Sequence, residues 1–331
     1  MEQRTLGSTG REVSVVGLGT WQLGSDWGDV GESEALEVLG TSVEDGVTFF
    51  DTADVYGDGR SERLIGTFLA ENPSLDVFVA TKMGRRAEQV PENYTLQAFR
   101  EWTDRSRRNL GVDRLDLVQL HCPPTAVLTS TETRDALETL VAEDRIAAYA
   151  VSVETSQQAL DAIDTLAPAS VQIILNAFRR KPLEQVLPRA AEAGVGIIAR
   201  VPLASGLLSG RYTKDTTFAA GDHRTFNRHG EAFDVGETFA GVDFETGVEA
   251  ASEFSRLAAE LGPDGATPAQ VALRWVIQAD GVTSVIPGAR NVEQARANAA
   301  AAALEPLSEE LLSAVEALYD ERIRAQVHDR W

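Results

Sequence analysis

The chain has 331 residues, 43% of them hydrophobic and 24% charged, and a formal net charge of −21. That length supports one large core, either a barrel or a pair of ordinary domains. The acidic balance repels nucleic acid and anionic membranes, and neither is expected as a partner. A single cysteine, Cys122, excludes an intramolecular disulfide. No apolar run reaches the roughly 18 residues of a membrane span. Met1-Glu2-Gln3-Arg4-Thr5 has no apolar leader core, so a cytoplasmic setting is expected. Of the 30 basic residues only Lys82, Lys181 and Lys214 are lysines. The carboxylates are scattered through predicted helices, and such a surface suits high salt, where screening relieves self-repulsion.

At the N-terminus, residues 4–6 and 12–15 flank Gly7-Ser8-Thr9-Gly10 and predict a β-hairpin, placed to plug the floor of a barrel. Short apolar runs then predict strands at 15–20, 48–51, 77–81, 115–120, 147–151, 170–175, 195–200 and 284–286. The intervals are long enough for helical crossovers, and several runs are apolar on both faces, as strands covered by helices are. Eight such units across 1–331 predict a single (β/α)₈ TIM-barrel domain of the α/β class. Thr95, Thr155, Thr267 and Ser308 stand where helix N-caps are expected, Thr155 and Thr267 with Gln158 and Gln270 completing capping boxes. The helix after Ser308 is an extra one at the C-terminal end, with Leu311, Leu312, Val315, Leu318 and Tyr319 on one face. Residues 209–247 are Gly-rich, weakly periodic and carry five phenylalanines, which predicts a lid or pocket wall after the seventh barrel strand.

The strand ends carry the chemistry. Phe49-Phe50-Asp51 stops at a carboxylate, Ala80-Thr81-Lys82 at an ammonium and Val118-Gln119-Leu120-His121 at an imidazole, with Tyr56 in the loop after Asp51. In a parallel barrel these ends converge on one face. Asp51 would hold Lys82 charged, Lys82 would lower the pKa of the Tyr56 phenol, and His121 would orient a substrate oxygen. Together they suit proton donation to a carbonyl oxygen that gains charge as hydride arrives. No Gly-x-Gly-x-x-Gly opens a helix after the first strand, so a Rossmann site is not expected. Barrels bind phosphate with the loops after strands seven and eight, here 202–210 and 287–291, and Arg290 supplies a guanidinium fork. Trp21 and Trp27, after the first barrel strand, would wall an apolar substrate pocket.

The stretches Phe50-Asp51-Thr52-Ala53 through Tyr56-Gly57, Ser61-Glu62, Ala80-Thr81-Lys82, residues 117–121, Pro202-Leu203-Ala204-Ser205-Gly206-Leu207-Leu208-Ser209-Gly210 and Ile286-Pro287-Gly288-Ala289-Arg290 together resemble the aldo-keto reductases over essentially the full length. The resemblance implies a metal-free oxidoreductase that reduces aldehydes or ketones with NADPH, with NADH as the other nicotinamide candidate. It implies Asp51, Tyr56, Lys82 and His121 as the catalytic tetrad. It places Ser152, Gln172 and Asn176 beside the nicotinamide, and Arg290, Gln294 and Asn298 at the 2′-phosphate and adenine end. Pro202, Leu203, Gly206, Leu208, Gly210 and Gly288 fall in the phosphate loops. The chain departs from the common pattern at Val153, Leu175, Arg200 and Gly288, where asparagine, tyrosine, tyrosine and lysine are usual. Arg200 would then stack on the nicotinamide through its planar guanidinium. Some relatives of this kind are nucleotide-binding regulatory subunits with little turnover, which is the alternative reading. The oligomeric state is open at this level.

Overall fold

The computed structural model describes residues 1–24 and 30–331. Strands β1 (Gln3–Thr5) and β2 (Glu12–Ser14) pair antiparallel as the predicted hairpin, Arg4 opposite Val13. Eight further strands follow: β3 (Leu18–Gly19), β4 (Phe49–Asp51), β5 (Phe78–Met83), β6 (Leu115–His121), β7 (Ile146–Ser152), β8 (Ser170–Ile174), β9 (Gly196–Arg200) and β10 (Ser284–Val285). Each is parallel to the next in chain order. The sheet closes where Val16 and Gly19 bridge Val285 and Gly288, with the Gly17 and Gly19 amides donating to the carbonyls of Val285 (2.8 Å) and Pro287 (3.0 Å). The expected eightfold α/β barrel is therefore present. The two strands at the seam are shorter than their apolar runs suggested.

Alternation along each strand sorts the barrel interior into layers. Phe49, Phe78, Ala80, Leu117, Ala150 and Ile198 form a buried inner cluster with Leu6 and Val13 of the hairpin. Two residues further along the same inward parity come Asp51, Lys82, Gln119, Ser152 and Arg200, and two beyond Gln119 comes His121. The floor is thus apolar and the opposite end polar. A larger cluster packs the outward strand faces against the helices. The hairpin seals the floor by close contact: Gly7 has φ +48°, and a Cβ built there would lie 2.0 Å from the Ala169 carbonyl oxygen and 2.6 Å from the Gly196 nitrogen. Left-handed backbone and absent space both require glycine. Gly7→Ala is expected to lower stability by about 1–3 kcal/mol from backbone strain, with the clash adding to it. Denaturant unfolding measures this.

The helix signals fall where the sequence placed them. Thr95 and Ser308 accept hydrogen bonds from Ala98 and Leu311, Thr155 and Thr267 form complete capping boxes, and Gly111 closes its helix in the left-handed conformation. The extra C-terminal helix is Glu309–Leu318, continued by a π turn over Tyr319–Ile323.

The segment 209–247 is more ordered than its weak periodicity suggested. It holds the helical turns His223–Phe226, Val235–Glu237 and Phe239–Gly241. Its last residues begin a helix, Phe244–Leu261, capped by Asp243. Phe218, Phe239 and Phe244 pack on one another and on Tyr212. Trp331 ties this segment down, its indole N–H donating to Asp234 and its ring lying 4.1 Å from the Arg179 guanidinium. Among the described residues no helix is long and apolar enough to cross a membrane.

Candidate active site

The parity of β4, β5 and β6 delivers Asp51, Lys82 and His121 to one end of the barrel, all buried. Lys82 Nζ sits 2.5 Å from Asp51 Oδ1, 2.9 Å from the Thr52 carbonyl and 3.3 Å from the Tyr56 hydroxyl. Asp51 Oδ2 accepts from the side-chain amides of Gln119 (2.9 Å) and Gln172 (2.7 Å). A carboxylate at the heart of a barrel is tolerable because both oxygens are met. The His121 ring lies edge-on to Tyr56, centroids 6.0 Å apart.

These contacts set the protonation states. Burial would lower the Lys82 ammonium, but Asp51 and Tyr56 outweigh it and hold its pKa above the ordinary value. The Tyr56 phenol goes the other way from the sequence expectation. Burial pushes its pKa up by more than Lys82 pulls it down, so the hydroxyl keeps its proton. His121 lies well below the ordinary imidazole value, through burial first and then the neighbouring charges of Arg85 and Lys82. The site thus pairs a neutral phenol with a buried ammonium and a neutral imidazole.

A cavity of about 570 Å³ opens onto this group, within the range of small-ligand and cofactor sites. Asp51, Tyr56, His121 and Gln172 form its inner end, and Arg200, Pro202, Leu203, Gly206, Gly288, Arg290, Gln294 and Asn298 line its length. Trp21 walls it beside Tyr56, ring centroids 6.1 Å apart and nearly parallel. Trp27 lies outside the described residues. Ser152, Asn176, Leu208 and Gly210 do not line the cavity. The Asn176 amide bridges the Val201 carbonyl and the Phe178 amide, and Ser152 Oγ faces Cys122 Sγ at 3.6 Å. Arg200 lines the wall, but its guanidinium is held by Glu154 (2.9 Å), the Val153 carbonyl (3.2 Å) and Glu237 (3.8 Å) rather than left free to stack.

The sequence reading missed several groups. Gln119 sits inside the quoted strand run, and its inward parity was the available signal. Arg85 and Glu154, half-buried, and the buried Glu237 form an ion-pair cluster with Arg200, but Arg85 was one arginine among many and Glu237 lies in the weakly patterned segment. Asp54 is fully buried, and burial, then Glu62, raises its pKa to about 7. Arg211 and Gln22 also line the cavity.

The far end of the cavity fits a phosphorylated dinucleotide. Arg211 and Arg290 lie there, and among the described residues neither has a carboxylate partner in a chain of net charge −21. Gln22 Oε1 is buried with no partner among the described residues, and its amide lies against Gly288, where a Cβ would come within 2.0 Å of it. Glycine backbone beside a buried acceptor and two guanidiniums, none with a partner among the described residues, makes a polar cradle.

Residues 15–320 match the model of the Aldo/keto reductase family. The chain belongs to that family. Among its aldo/keto reductase relatives, YhdN of Bacillus subtilis is 30% identical over 90% of this chain and 87% of its own. Of similar solved structures, the glycerol dehydrogenase AKR11B4 from Gluconobacter oxydans superposes with a TM-score of 0.76 at 28% identity, covering 96% of this chain and 94% of that one. An aldo-keto reductase from Klebsiella pneumoniae, solved in complex with NADPH, does so with a TM-score of 0.70 at 26% identity, covering 96% of each. Aldo-keto reductases are generally oxidoreductases.

Proposed function

We propose that this aldo-keto reductase transfers hydride between NADPH and small aldehydes, ketones or sugars, with Tyr56 as the general acid. The observation that carries the reading is the Tyr56 hydroxyl 3.3 Å from a buried Lys82 ammonium that is itself locked to Asp51. When bound, the nicotinamide would supply hydride chemistry at the carbonyl carbon. Tyr56 then gives its proton to the carbonyl oxygen, and Lys82 stabilises the phenolate left behind. Neutral His121 orients the oxygen without competing as an acid. Trp21 excludes water from one side, and the segment 209–247 acts as the lid. Arg211 and Arg290 would hold the phosphates, with Gln294 and Asn298 from the helix Val292–Ala300 beside the adenine end.

The test is multiple-turnover oxidation of NADPH and NADH against a panel of carbonyl compounds. Turnover with at least one class supports the reading. Tight dinucleotide binding with no turnover against any would overturn it in favour of a regulatory subunit. The phosphate assignment has its own expected result. Arg290→Ala should weaken NADPH by about 10- to 100-fold, the worth of one charge-assisted hydrogen bond, while NADH binding changes little. Fluorescence titration with each dinucleotide measures the difference.

A further inference from the structure

We infer that Trp331 is a positioning residue: its indole clamps the turn that carries Glu237, and so fixes the carboxylates that hold Arg200 in the cavity wall. The inference rests on the reading of that cavity as the place of hydride transfer, and adds a group that never touches it.

The turn runs from Asp234 to Gly241 in the segment after β9. Phe239, Ala240 and Gly241 all have left-handed backbone, with φ of +53°, +57° and +80°. Two of the three carry a Cβ, so the turn is strained and persists only where its surroundings hold it. It is held from two sides. On the cavity side Ser205 Oγ donates to the Glu237 carbonyl and accepts from the Phe239 amide, both at 3.1 Å. On the outer side stands Trp331. Its indole N–H donates to Asp234 Oδ1 at 2.9 Å, and the same oxygen accepts from the Gly236 amide at 2.6 Å. The ring fills space that two side chains would need. A Cβ at Gly241 would lie 2.2 Å from it, and one at Gly236 would lie 3.1 Å from it.

Trp331 also reaches the second carboxylate. Two guanidiniums pack on its ring, Arg179 at 4.1 Å and Arg330 at 4.5 Å. Arg179 is buried, and its Nη2 donates to the Glu154 carbonyl at 2.6 Å. One indole therefore borders the backbone of both glutamates that grip Arg200, Glu237 through the turn and Glu154 through Arg179. Glu154 meets Arg200 at 2.9 Å and Glu237 meets it at 3.8 Å, while Glu237 also pairs with Arg85 at 2.8 Å. Arg200 and Glu237 line the cavity with Tyr56 and His121, and Trp331 does not. A carboxylate that drifts from such a pair leaves a guanidinium uncompensated in a dry wall. Slack in the turn is thus passed to the wall as a displaced charge.

The experiment follows Trp331→Ala, Trp331→Phe, Glu237→Gln and the double variant Trp331→Ala with Glu237→Gln by steady-state carbonyl reduction and by hydrogen–deuterium exchange of the full chain. Trp331→Ala should lower kcat/KM by about 10- to 100-fold, the scale of a small misplacement at a reacting centre. NADPH affinity should change little, because Arg211 and Arg290 are untouched. Exchange should rise in peptides covering 234–241 and 152–156 and stay unchanged in the barrel strands. Trp331→Phe keeps the packing on Arg179 and loses only the N–H donor, so it should restore part of the rate. Once Glu237→Gln is in place, Trp331→Ala should cost far less than it does alone, since both act through one carboxylate. Losses that simply multiply in the double variant overturn the inference, and so does an unchanged kcat/KM in Trp331→Ala. A loss of rate with exchange raised equally across the barrel would mark Trp331 as merely structural. If Trp331→Ala does not fold, Asp234→Ala removes the acceptor of the indole and carries the same comparison with Glu237→Gln. If the unaltered protein reduces no carbonyl compound, the hydride-transfer reading falls, and the exchange pattern alone decides whether Trp331 clamps the turn.

Discussion

Tyr56→Phe should lower kcat by about 10²–10⁴ while leaving dinucleotide affinity nearly unchanged. The substitution removes one oxygen and little else. The ring keeps its packing beside Trp21 and edge-on to His121, and Lys82 keeps Asp51 and the Thr52 carbonyl. What disappears is the proton donor 3.3 Å from the ammonium. The rate loss corresponds to about 3–5 kcal/mol of barrier, all of it in the chemical step, so single-turnover NADPH oxidation reads it directly. Equal losses in rate and in dinucleotide affinity would mark Tyr56 as a structural residue and remove the general-acid assignment.

Lys82→Met should have the largest effect on folding of any single change at the site. Lys82 and Asp51 are an ion pair with side chains 1% and 3% exposed. Removing one member leaves an uncompensated buried charge, which costs about 3–5 kcal/mol. Neutral donors cannot replace the ammonium: Gln119 and Gln172 still reach Asp51 Oδ2, but they bring no charge. The double variant Asp51→Asn with Lys82→Met should recover part of the loss, because no orphan carboxylate remains, and a double-mutant cycle by urea unfolding measures the recovery. The linkage has a definite sign. The Lys82 pKa is raised on folding, so its contribution is complete below the ordinary lysine value of about 10.4 and fades as pH climbs through the folded value. The deficit of Lys82→Met should therefore narrow in strongly alkaline buffer. A deficit that widens there would contradict the charge assignment.

The barrel was legible because its signals are local. Phe78-Val79-Ala80 and Ile197-Ile198-Ala199 are apolar runs that need cover on both faces, and Thr155 and Thr267 announce helix starts within four residues. The convergence of Asp51, Lys82 and His121 was legible for the same reason, since an abrupt polar group after an apolar run marks a strand end whatever the rest of the chain does. Arg85 and Glu237 stand 152 positions apart, and nothing near either predicts the other, so their pairing had to come from the folded chain. Asn176 was equally out of reach: its side chain bonds the Val201 carbonyl, 25 positions away, and the Phe178 amide, a commitment that no motif displays. The tyrosine pKa was misjudged in direction because the sequence displays a neighbouring charge but not how completely water is excluded.

The rarity of lysine in this chain has a practical edge. Lys181 is partly exposed and Lys214 exposed, while Lys82 is sealed in the barrel. An amine-reactive label should therefore mark the two outer lysines and the N-terminus of the native protein and reach the third only when the barrel opens. The lysine at the centre of the proposed reactive site thus doubles as an internal reporter, and mass spectrometry of labelled peptides would count the opening events that spectroscopy averages away.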